Sequence, residues 1–563
     1  MPHDRSTKHE RRARLFALGL FVAAGLAAYS NVLDAFFLSD DFAQIGKVLE
    51  GDLSVTWGRE HGGFFRPLFI LSYALDAALW GRRPSGYHLT NVLLHSLNAF
   101  LVFLLAERIG RRTGRTDSDP PRRGDALESD PTRQSEAFMF EPAGRRWLAY
   151  ASALVFLLHP SHTEAVSWIS GRADLLSTLF CLLALLAFLS HARTRRRASL
   201  VFALVAFALA LLSKEAALCF PLLAALAGIY FGRESDGSDT TSDPAPTPRP
   251  APSKHAGPKP ASPKRALPET LRRTVLRTLK AAWLSSLPFI CVLLLYVAAR
   301  AYALGALVGG YGAGRHLYLT HGVVASQLLR AALRLLFPAN ALRSLPFLES
   351  RALSPTLIAL GVALLVTSAL VFRRAGSRRA LVHFLRRNKL LWLLFALSLA
   401  ALLPALNLRI NVYDTQGERF LYLSSAFFSV ALALALTKAA RRRPRLSTAA
   451  LACLLLLYAL GLRQTNRTWR EASQLSRSLV EDATRLSARA DVLLLNAPDN
   501  LRGAYVFRNG FDHALRTLQD AKTFGRVGVA AVHDTQSRED AAELKEDDGV
   551  ITVRLSNPRA AFA

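Results

Sequence analysis

The chain has 563 residues, 51% of them hydrophobic, and it carries 70 Lys and Arg against 42 Asp and Glu, a formal net charge of +28. A water-soluble domain this basic is usually polar, so the positive mean hydropathy of +0.21 requires the charges and the apolar residues to be separated along the chain. Apolar runs such as 175–189 and 451–462 recur too often for ordinary cores. This pattern excludes a water-soluble protein and predicts an all-α, polytopic membrane protein.

About eleven transmembrane helices are predicted. The first follows a basic N-terminal segment and is longer than the core of a signal peptide, so we expect it to be retained. The predicted spans are 15–33, 88–107, 147–159, 174–190, 199–213, 216–231, 283–303, 354–372, 390–406, 420–437 and 446–462.

Arginine clusters flank alternate loops of this predicted topology. With a cytoplasmic N-terminus, the inside loops are 108–146, 191–198, 232–282, 373–389 and 438–445, and each is rich in Arg next to a membrane end. The positive-inside rule accounts for this placement, which argues against nucleic acid as a partner. We expect the protein to lie in a bacterial inner membrane. Within these loops, 113–143 and 235–270 have compositions rich in Pro or in mixed charges, so we expect disordered cytoplasmic loops there.

The C-terminal residues are predicted to form a separate unit. An odd number of spans places them outside, so the transmembrane domain is 1–463 and a small extracytoplasmic α/β domain is 464–563. We expect strands at 491–495, 527–532 and 550–555 and helices near 468–487 and 512–522. The four cysteines all lie in apolar runs, which excludes a disulfide framework or a zinc ribbon.

An acidic pair, Asp40 and Asp41, follows the first predicted span. Adjacent carboxylates raise each other's proton affinity, so one can serve as a base for an acceptor hydroxyl while the other orients it or holds a cation. The alternative is an N-cap for an interfacial helix that begins near Phe42. Spacing alone leaves both interpretations open.

A second polar cluster lies at the outer junction of the third and fourth spans. It contains His159, His162 and Glu164, with Arg172 and Asp174 close behind. The spacing is not that of a His-Glu-x-x-His metalloprotease helix, so hydrogen-bonded roles are favoured over a metal site, although a divalent cation stays open. A polar turn that satisfies backbone groups between two tight spans is the structural alternative.

A third set of residues is cationic and also lies in the predicted outer loops. Arginines in outer loops are exceptions to the positive-inside rule, and their guanidinium groups could bind a lipid-linked phosphate or pyrophosphate. The alternative is that they snorkel to lipid headgroups or form local ion pairs. We predict a surface helix at 316–337, and helix-to-helix hydrogen bonds for His95 and Asn98. The cationic candidates are Lys214, Arg300, Arg409 and Arg419, with Glu215, Asp414 and Glu418 as nearby acids.

Several motifs occur in an order that resembles one family. They are Phe65-Arg66-Pro67-Leu68, Tyr87-His88-Leu89-Thr90-Asn91, His159-Pro160-Ser161-His162-Thr163-Glu164, Gly171-Arg172-Ala173-Asp174, Leu212-Ser213-Lys214-Glu215 and Glu418-Arg419-Phe420-Leu421-Tyr422. Together they resemble the transmembrane and tetratricopeptide-repeat O-mannosyltransferase-like proteins, members of the C-type glycosyltransferase superfamily. The chain departs from that pattern because it lacks the repeat array.

The resemblance implies a membrane glycosyltransferase that moves a sugar, with mannose as the leading candidate, from a polyprenyl-phosphate carrier to an acceptor hydroxyl on the extracytoplasmic face, with inversion. The acceptor is a protein, a lipid or a glycan. The acidic pair after the first span is the implied catalytic site, which falls on Asp40 and Asp41. The implied substrate- and phosphate-binding residues are Arg66, His159, His162, Glu164, Arg172, Lys214, Arg300, Glu418 and Arg419.

Two other function classes stay open at this stage. A secondary transporter or lipid flippase is disfavoured because the two halves of the sequence show no symmetry and the charges gather at one surface. A non-catalytic membrane scaffold would make the acidic pair replaceable without effect.

Overall fold

The computed structural model describes residues 2–52, 63–113, 142–231, 269–306, 321–338 and 388–518, with short gaps at 409, 413, 441–442, 488–491 and 495–496, and four later strands. The helices are α1 (Pro2–Ala28), α2 (Asp40–Leu49), α3 (Pro67–Trp80), α4 (Pro84–Thr113), α5 (Pro142–Leu158), α6 (Thr163–Ser167), α7 (Arg172–Thr194), α8 (Arg197–Ser213), α9 (Phe220–Phe231), α10 (Glu269–Leu304), α11 (His321–Leu336), α12 (Lys389–Leu402), α13 (Tyr422–Ala440), α14 (Pro444–Ser487) and α15 (Phe511–Leu518). The strands are β1 (Val492–Leu494), β2 (Ala497–Leu501), β3 (Ala504–Tyr505), β4 (Val527–Val529), β5 (Val532–Thr535), β6 (Ala542–Asp547) and β7 (Val550–Leu555).

Each predicted span that falls on described residues coincides with a helix. Within those residues, five helices are long and apolar enough to cross a membrane, and shorter apolar helices accompany them. The predicted span at 354–372 lies outside the described residues, as do almost all of the predicted disordered loops. Membrane character is therefore confirmed, whereas the count of eleven spans stays a prediction.

The first helices of the bundle alternate in direction. Along α1 and α4, successive contacts join Arg14 to Glu107 at 3.0 Å, Phe21 to Phe103 at 5.8 Å between ring centroids, and Tyr29 to His95 at 5.4 Å between ring centroids. Residue numbers rise on one helix as they fall on the other, so the two helices are antiparallel. The basic end of α1 consequently lies beside the C-terminal end of α4.

The Arg-rich ends of several helices gather at that end of the bundle. Arg111 is paired with Glu107 and Glu10, at 2.9 Å and 3.1 Å. Arg108 donates to the carbonyl of Leu186 near the end of α7, and it lies close enough to the arginines of α1, α4 and α7 for mutual repulsion. The N-terminal segment and the described starts of the predicted loops 108–146 and 191–198 thus share one end of the bundle.

The acidic pair lies at the opposite end. The Oδ1 atom of Asp41 accepts hydrogen bonds from both the amide and the hydroxyl of Ser170, 129 residues away. The segment after α1 and the segment between α5 and α7 therefore meet, which confirms the prediction that they share one end. The assignment of that end to the outer face stays a prediction.

Helix α14 is 44 residues long, which corresponds to about 66 Å at 1.5 Å per residue, roughly twice the hydrocarbon thickness of a bilayer. It joins the predicted span 446–462 and the predicted helix 468–487 into one element, and it runs through the proposed domain boundary at 463. Its first half exposes leucines, whereas Trp469, Ala472 and Val480 on its second half are buried.

The second half of α14 belongs to a hydrophobic core at the acidic end of the bundle. This core combines residues of α2, α3 and α6–α7 with the tail segment 504–514. Beyond α14, β1 pairs with β4 in parallel, β2 pairs with β3 and β5, and β6 and β7 form an antiparallel pair. The strands and the second helix predicted for the tail are thus confirmed in position.

Candidate functional site

The acidic pair forms the first turn of α2. Carboxylates are favoured there because the N-terminus of a helix carries partial positive charge. The preceding residue, Ser39, makes no side-chain cap and adopts a positive φ of 48°. The two acids thus lie inside the first turn rather than at the N-cap position, so capping of a helix that begins near Phe42 does not describe them, and their long-range contacts need a separate explanation.

Asp41 is 1% exposed and holds three hydrogen bonds. Its Oδ2 accepts from the amide of Leu38 at 3.0 Å, and its Oδ1 accepts from the amide and hydroxyl of Ser170 at 2.8 Å and 2.5 Å. Burial raises the pKa of Asp41 to about 7, although these donors act in the opposite direction. Because its oxygens already face protein donors, Asp41 ties α2 to the turn that precedes α7.

Asp40 has a different environment. It is partly exposed, and its Oδ1 accepts a hydrogen bond of 2.8 Å from the side-chain amide of Asn509 in the tail. Partial exposure gives an approaching hydroxyl access to this carboxylate. The two acids of the pair are therefore distinguished by burial and by their partners.

Glu164 and Arg419 form an ion pair in the middle of the same region. Glu164 is fully buried and accepts from the Arg419 amide at 2.8 Å, from its guanidinium at 3.0 Å, and from the Tyr505 hydroxyl at 3.1 Å. The Arg419 guanidinium also lies over the ring of Trp168, 4.8 Å from its centroid. An arginine held by a carboxylate and a ring in this way has a fixed orientation.

Trp168 connects this ion pair to the acidic pair. Its ring contacts Tyr505 with 4.8 Å between centroids, and its Nε1 donates to the carbonyl of Leu38 at 3.3 Å, three residues before Asp41. The turn that carries Trp168 is tight, because a Cβ at Gly171 would lie 2.6 Å from the carbonyl oxygen of Glu164. The acids and Arg419 thus belong to one connected cluster.

Lys214 adds a second cation to the cluster. Its Nζ contacts Asp174 at 2.5 Å and lies 5.3 Å from the centroid of the Phe420 ring. The Arg419 guanidinium lies 5.1 Å from the same centroid. Both cations therefore flank one aromatic ring.

Arg66 and Arg300 lie close to Glu215, the residue that follows Lys214. Arg66 holds Glu215 through two nitrogens at 2.9 Å and 2.6 Å, and the guanidiniums of Arg66 and Arg300 both act electrostatically on that carboxylate. Arg300 also donates to the carbonyl of Gly63 at 3.4 Å. Arg409 lies outside the described residues. The structure thus brings to one end of the bundle the predicted cations Arg66, Lys214, Arg300 and Arg419.

His159 and His162, both predicted as substrate-binding residues, lie between helices, and that role stays a prediction. Both rings are fully buried. The His159 Nε2 lies 3.1 Å from the carbonyl of Leu335, and the His162 Nε2 lies 2.7 Å from the hydroxyl of Ser425 on α13. Rings placed in this way join helices, as do His95 and Asn98, which bond to Tyr422 and Leu175 as predicted.

Arg172, another predicted substrate- and phosphate-binding residue, is enclosed by protein groups, and its predicted role also stays a prediction. Its side chain is fully buried and contacts Asp76 at 2.6 Å, with further donations to the Asn91 side chain at 2.8 Å and the Tyr87 carbonyl at 3.0 Å. It lies over the ring of Tyr73. An arginine with buried protein acceptors on several elements joins those elements to one another.

Glu418 is likewise buried and pairs with Arg334 of α11, which in turn donates to the carbonyl of Asp414 at 2.7 Å. The sequence placed Arg334 in a surface helix without assigning it a partner. Sequence reasoning also missed Ser170, Tyr505 and Asn509, since nothing in a single sequence pairs residues that lie so far apart along the chain. Among the residues that the structure describes, no group of three His, Cys, Asp or Glu side chains is arranged to hold a metal ion.

Comparison with known proteins gives relatives with a common name. The chain is 31% identical over 238 residues to Protein O-mannosyl-transferase Tmtc1 of Drosophila melanogaster, 39% of this chain and 24% of that protein. It is 35% identical over 188 residues to Protein O-mannosyl-transferase TMTC2 of Mus musculus, 31% of this chain and 18% of that protein. It is 28% identical over 209 residues to Protein O-mannosyl-transferase TMTC1 of Homo sapiens, 34% of this chain and 20% of that protein.

These relatives confirm the resemblance to the O-mannosyltransferase-like family that the motifs indicate. The matched region spans about a fifth of the length of each relative, from 18% to 24%. No protein-family model matches the chain.

Proposed function

We propose that this chain is a membrane mannosyltransferase. It transfers a mannosyl group from a polyprenyl-phosphate carrier to a protein hydroxyl, at the end of the bundle where Asp40 and Arg419 lie. The observation that carries the proposal is the connection of the acidic pair, through Ser170 and Trp168, to the Glu164–Arg419 ion pair. The names of the relatives, protein O-mannosyl-transferases, support the reaction class.

The reaction needs a base near the acceptor and cations near the leaving phosphate. Asp40 accepts the proton of the acceptor hydroxyl as its oxygen attacks the anomeric carbon, and the bond from that carbon to the phosphate oxygen breaks. The polyprenyl phosphate leaves with the bonding electron pair and is stabilised by Arg419 and Lys214. A single displacement of this kind inverts the anomeric configuration.

The two members of the acidic pair take separate roles in this proposal. Asp40 is the catalytic base because it is the partly exposed member and an acceptor can reach it. Asp41 is a positioning residue, since its contacts with Leu38 and Ser170 fix the first turn of α2 against the turn that carries Trp168.

The test uses the purified full chain in lipid nanodiscs, with labelled polyprenyl-phosphate mannose and Ser- or Thr-containing acceptor peptides, with and without a chelator. Asp40→Asn is expected to lower the turnover number by about 10²- to 10⁴-fold, the range for loss of a general base. Asp34→Asn is the matched control, because Asp34 lies six residues earlier, is 69% exposed and pairs with an exposed arginine, Arg470, at 3.4 Å.

Two outcomes would contradict the proposal. If the wild-type chain transfers no sugar from any polyprenyl-phosphate sugar in a panel, the proposed reaction is wrong. If Asp40→Asn and Asp34→Asn have equal turnover numbers, Asp40 is not the catalytic base. The anomeric configuration of the product provides a separate check on inversion.

The proposal includes an orientation in the membrane. The end with Arg108, Arg111 and Arg193 is the cytoplasmic end, as the positive-inside rule requires, and the end with the acidic pair is extracytoplasmic. The bacterial inner membrane remains our prediction for the location of the protein.

A further inference from the structure

The tail segment 503–510 lies across the candidate site and touches both of its halves. We name it the strap. It includes β3 and the loop before α15, and it comes well after the last predicted span, 446–462. No motif of the sequence fell on it.

The first end of the strap lies on the loop that carries Arg419. Gly503 has a φ of +92°, and a Cβ there would lie 2.7 Å from the amide nitrogen of Thr415 and from the side chain of Asp414. Two residues on, the Tyr505 hydroxyl donates to Glu164 at 3.1 Å. This end of the strap thus contacts the partner of Arg419.

The second end lies on the acidic pair. The amide of Ser39 donates to the carbonyl of Val506 at 2.8 Å, and the amide of Asn509 donates to the hydroxyl of Ser39 at 3.3 Å. The side chain of Asn509 donates to Asp40 at 2.8 Å. A Cβ at Gly510, where φ is +87°, would lie 2.8 Å from the Ser39 carbonyl, so the backbone approaches closely here as well.

The strap is packed as well as hydrogen-bonded. Phe507 stacks on Phe42 of α2 with 5.9 Å between ring centroids, and the Tyr505 ring lies against Trp168. All of the residues from Ala504 to Phe507 are buried. Because both ends are fixed by close backbone contacts and the middle is packed, the strap sets the separation between the acidic pair and the Arg419 ion pair.

We propose that the strap supplies two positioning residues of the site: Asn509 orients the carboxylate of Asp40, and Tyr505 orients Glu164 and, through it, Arg419. This inference rests on the proposed function for the consequences in catalysis. The contacts themselves can be tested without it. Asn509 reaches Asp40 from the tail with an uncharged donor, so its removal frees one oxygen of the carboxylate without changing the charge of the site.

The first measurement is the rate of carbodiimide labelling of Asp40 at one fixed pH, read by mass spectrometry on the full chain. Asn509→Ala is expected to raise this rate severalfold, because the carboxylate then loses the donor that holds it in place. Asn509→Asp is expected to act in the same direction, since a carboxylate at this position cannot donate to Asp40.

The matched control is Arg502→Ala. Arg502 lies in the turn just before the strap, and its contact with Glu471, at 3.4 Å, is exposed on both sides. This variant is expected to leave the labelling rate unchanged. An equal rate in wild type, Asn509→Ala and Asn509→Asp would overturn the inference, whatever the activity.

The second measurement is mannosyl transfer by the same variants. In the Asn509 variants, kcat/KM is expected to fall as the labelling rate of Asp40 rises, whereas Arg502→Ala is expected to leave both unchanged. Tyr505→Phe, which keeps the ring against Trp168, is expected to lower kcat/KM about tenfold through loss of a hydrogen bond to a charged group. If Tyr505→Phe keeps full activity, the Tyr505 hydroxyl does not orient Glu164 for catalysis. Labelling shifts in a chain that transfers no sugar would refute the proposed function and leave the Asn509 contact standing.

Discussion

Replacing Arg172 with methionine is expected to destabilise the folded bundle by about 3–5 kcal/mol, the usual cost of removing one partner of a buried ion pair. The substitution leaves Asp76, which is 2% exposed, as an uncompensated buried carboxylate. It also leaves the Asn91 side chain and the carbonyls of Ser72 and Tyr87 without the donors that they have now. The contacts with Asp76, Asn91 and Tyr87 are buried, so water has little access to replace them.

A double variant separates the charge from the packing. Asp76→Asn in the Arg172→Met background removes the stranded charge while the Thr90 hydroxyl, now 2.8 Å from Asp76, can still donate to the amide oxygen. The double variant is therefore expected to be more stable than Arg172→Met alone. A coupling of opposite sign would show that Asp76 is not the partner that matters.

The assay is thermal unfolding in detergent. Unfolding is monitored by the reaction of a thiol dye with the buried Cys181 and Cys219, in a chain in which the exposed Cys291 and Cys453 have been changed to alanine. Arg485→Ala is the control, since its pair with Asp482 is exposed on both sides and surface pairs contribute about 0–1 kcal/mol. If Arg172→Met unfolds like Arg485→Ala and instead loses only affinity for the phosphate donor, the structural role of Arg172 is refuted.

The remaining predictions concern Asp41, two glycines and the orientation. The pKa of Asp41 is about 7 in the folded state, against 3.8 for an unfolded aspartate, so between these pH values the folded state holds a proton that the unfolded state has lost. The free energy of unfolding therefore falls by about 1.4 kcal/mol per pH unit as the pH rises from about 4 to about 7. Asp41→Asn should flatten this pH dependence in thermal unfolding. Gly171→Ala, whose Cβ would meet carbonyls of α6, should cost about 1–3 kcal/mol, whereas Gly19→Ala, with nothing within 4 Å, should not destabilise. In a chain without other exposed thiols, Glu50→Cys and Arg193→Cys should react with an impermeant reagent from opposite sides of the membrane.

The elements of the fold were predictable because each has a local signal. Apolar runs of about 20 residues mark membrane helices, and the helices at those positions agree with the runs wherever they fall on described residues. The continuity of α14 was not predictable from hydropathy, since the apolar run ends near Leu462 while the helix continues to Ser487 in polar and mixed sequence. Packing of Trp469 and Val480 in the core shared with the tail sustains that second half.

The candidate site was predictable only in part. The motifs identified the acids and cations, and their common end of the bundle followed from charge placement. Their partners did not follow, because Arg172 with Asp76, Lys214 with Asp174 and Glu164 with Arg419 are joined across long stretches of chain. For the same reason the sequence could not distinguish Arg172 from Arg419, since both are motif arginines. The structure shows that Arg172 is fully buried inside the bundle, whereas the side chain of Arg419 is 11% exposed.

The height of the site relative to the lipid can be worked out along α14. Leu460 is the last leucine of the exposed stripe on the first half of this helix, at 58% exposure. Six residues later, Asn466 accepts a hydrogen bond from Ser167 at 2.7 Å, next to the tryptophan under Arg419. Six residues of helix rise about 9 Å, and the headgroup layer of a bilayer extends about 5–8 Å beyond the hydrocarbon. With Leu460 at the edge of the hydrocarbon, Arg419 would lie at the outer margin of the headgroup layer, where the proposed function expects the phosphate of a membrane-embedded polyprenyl carrier.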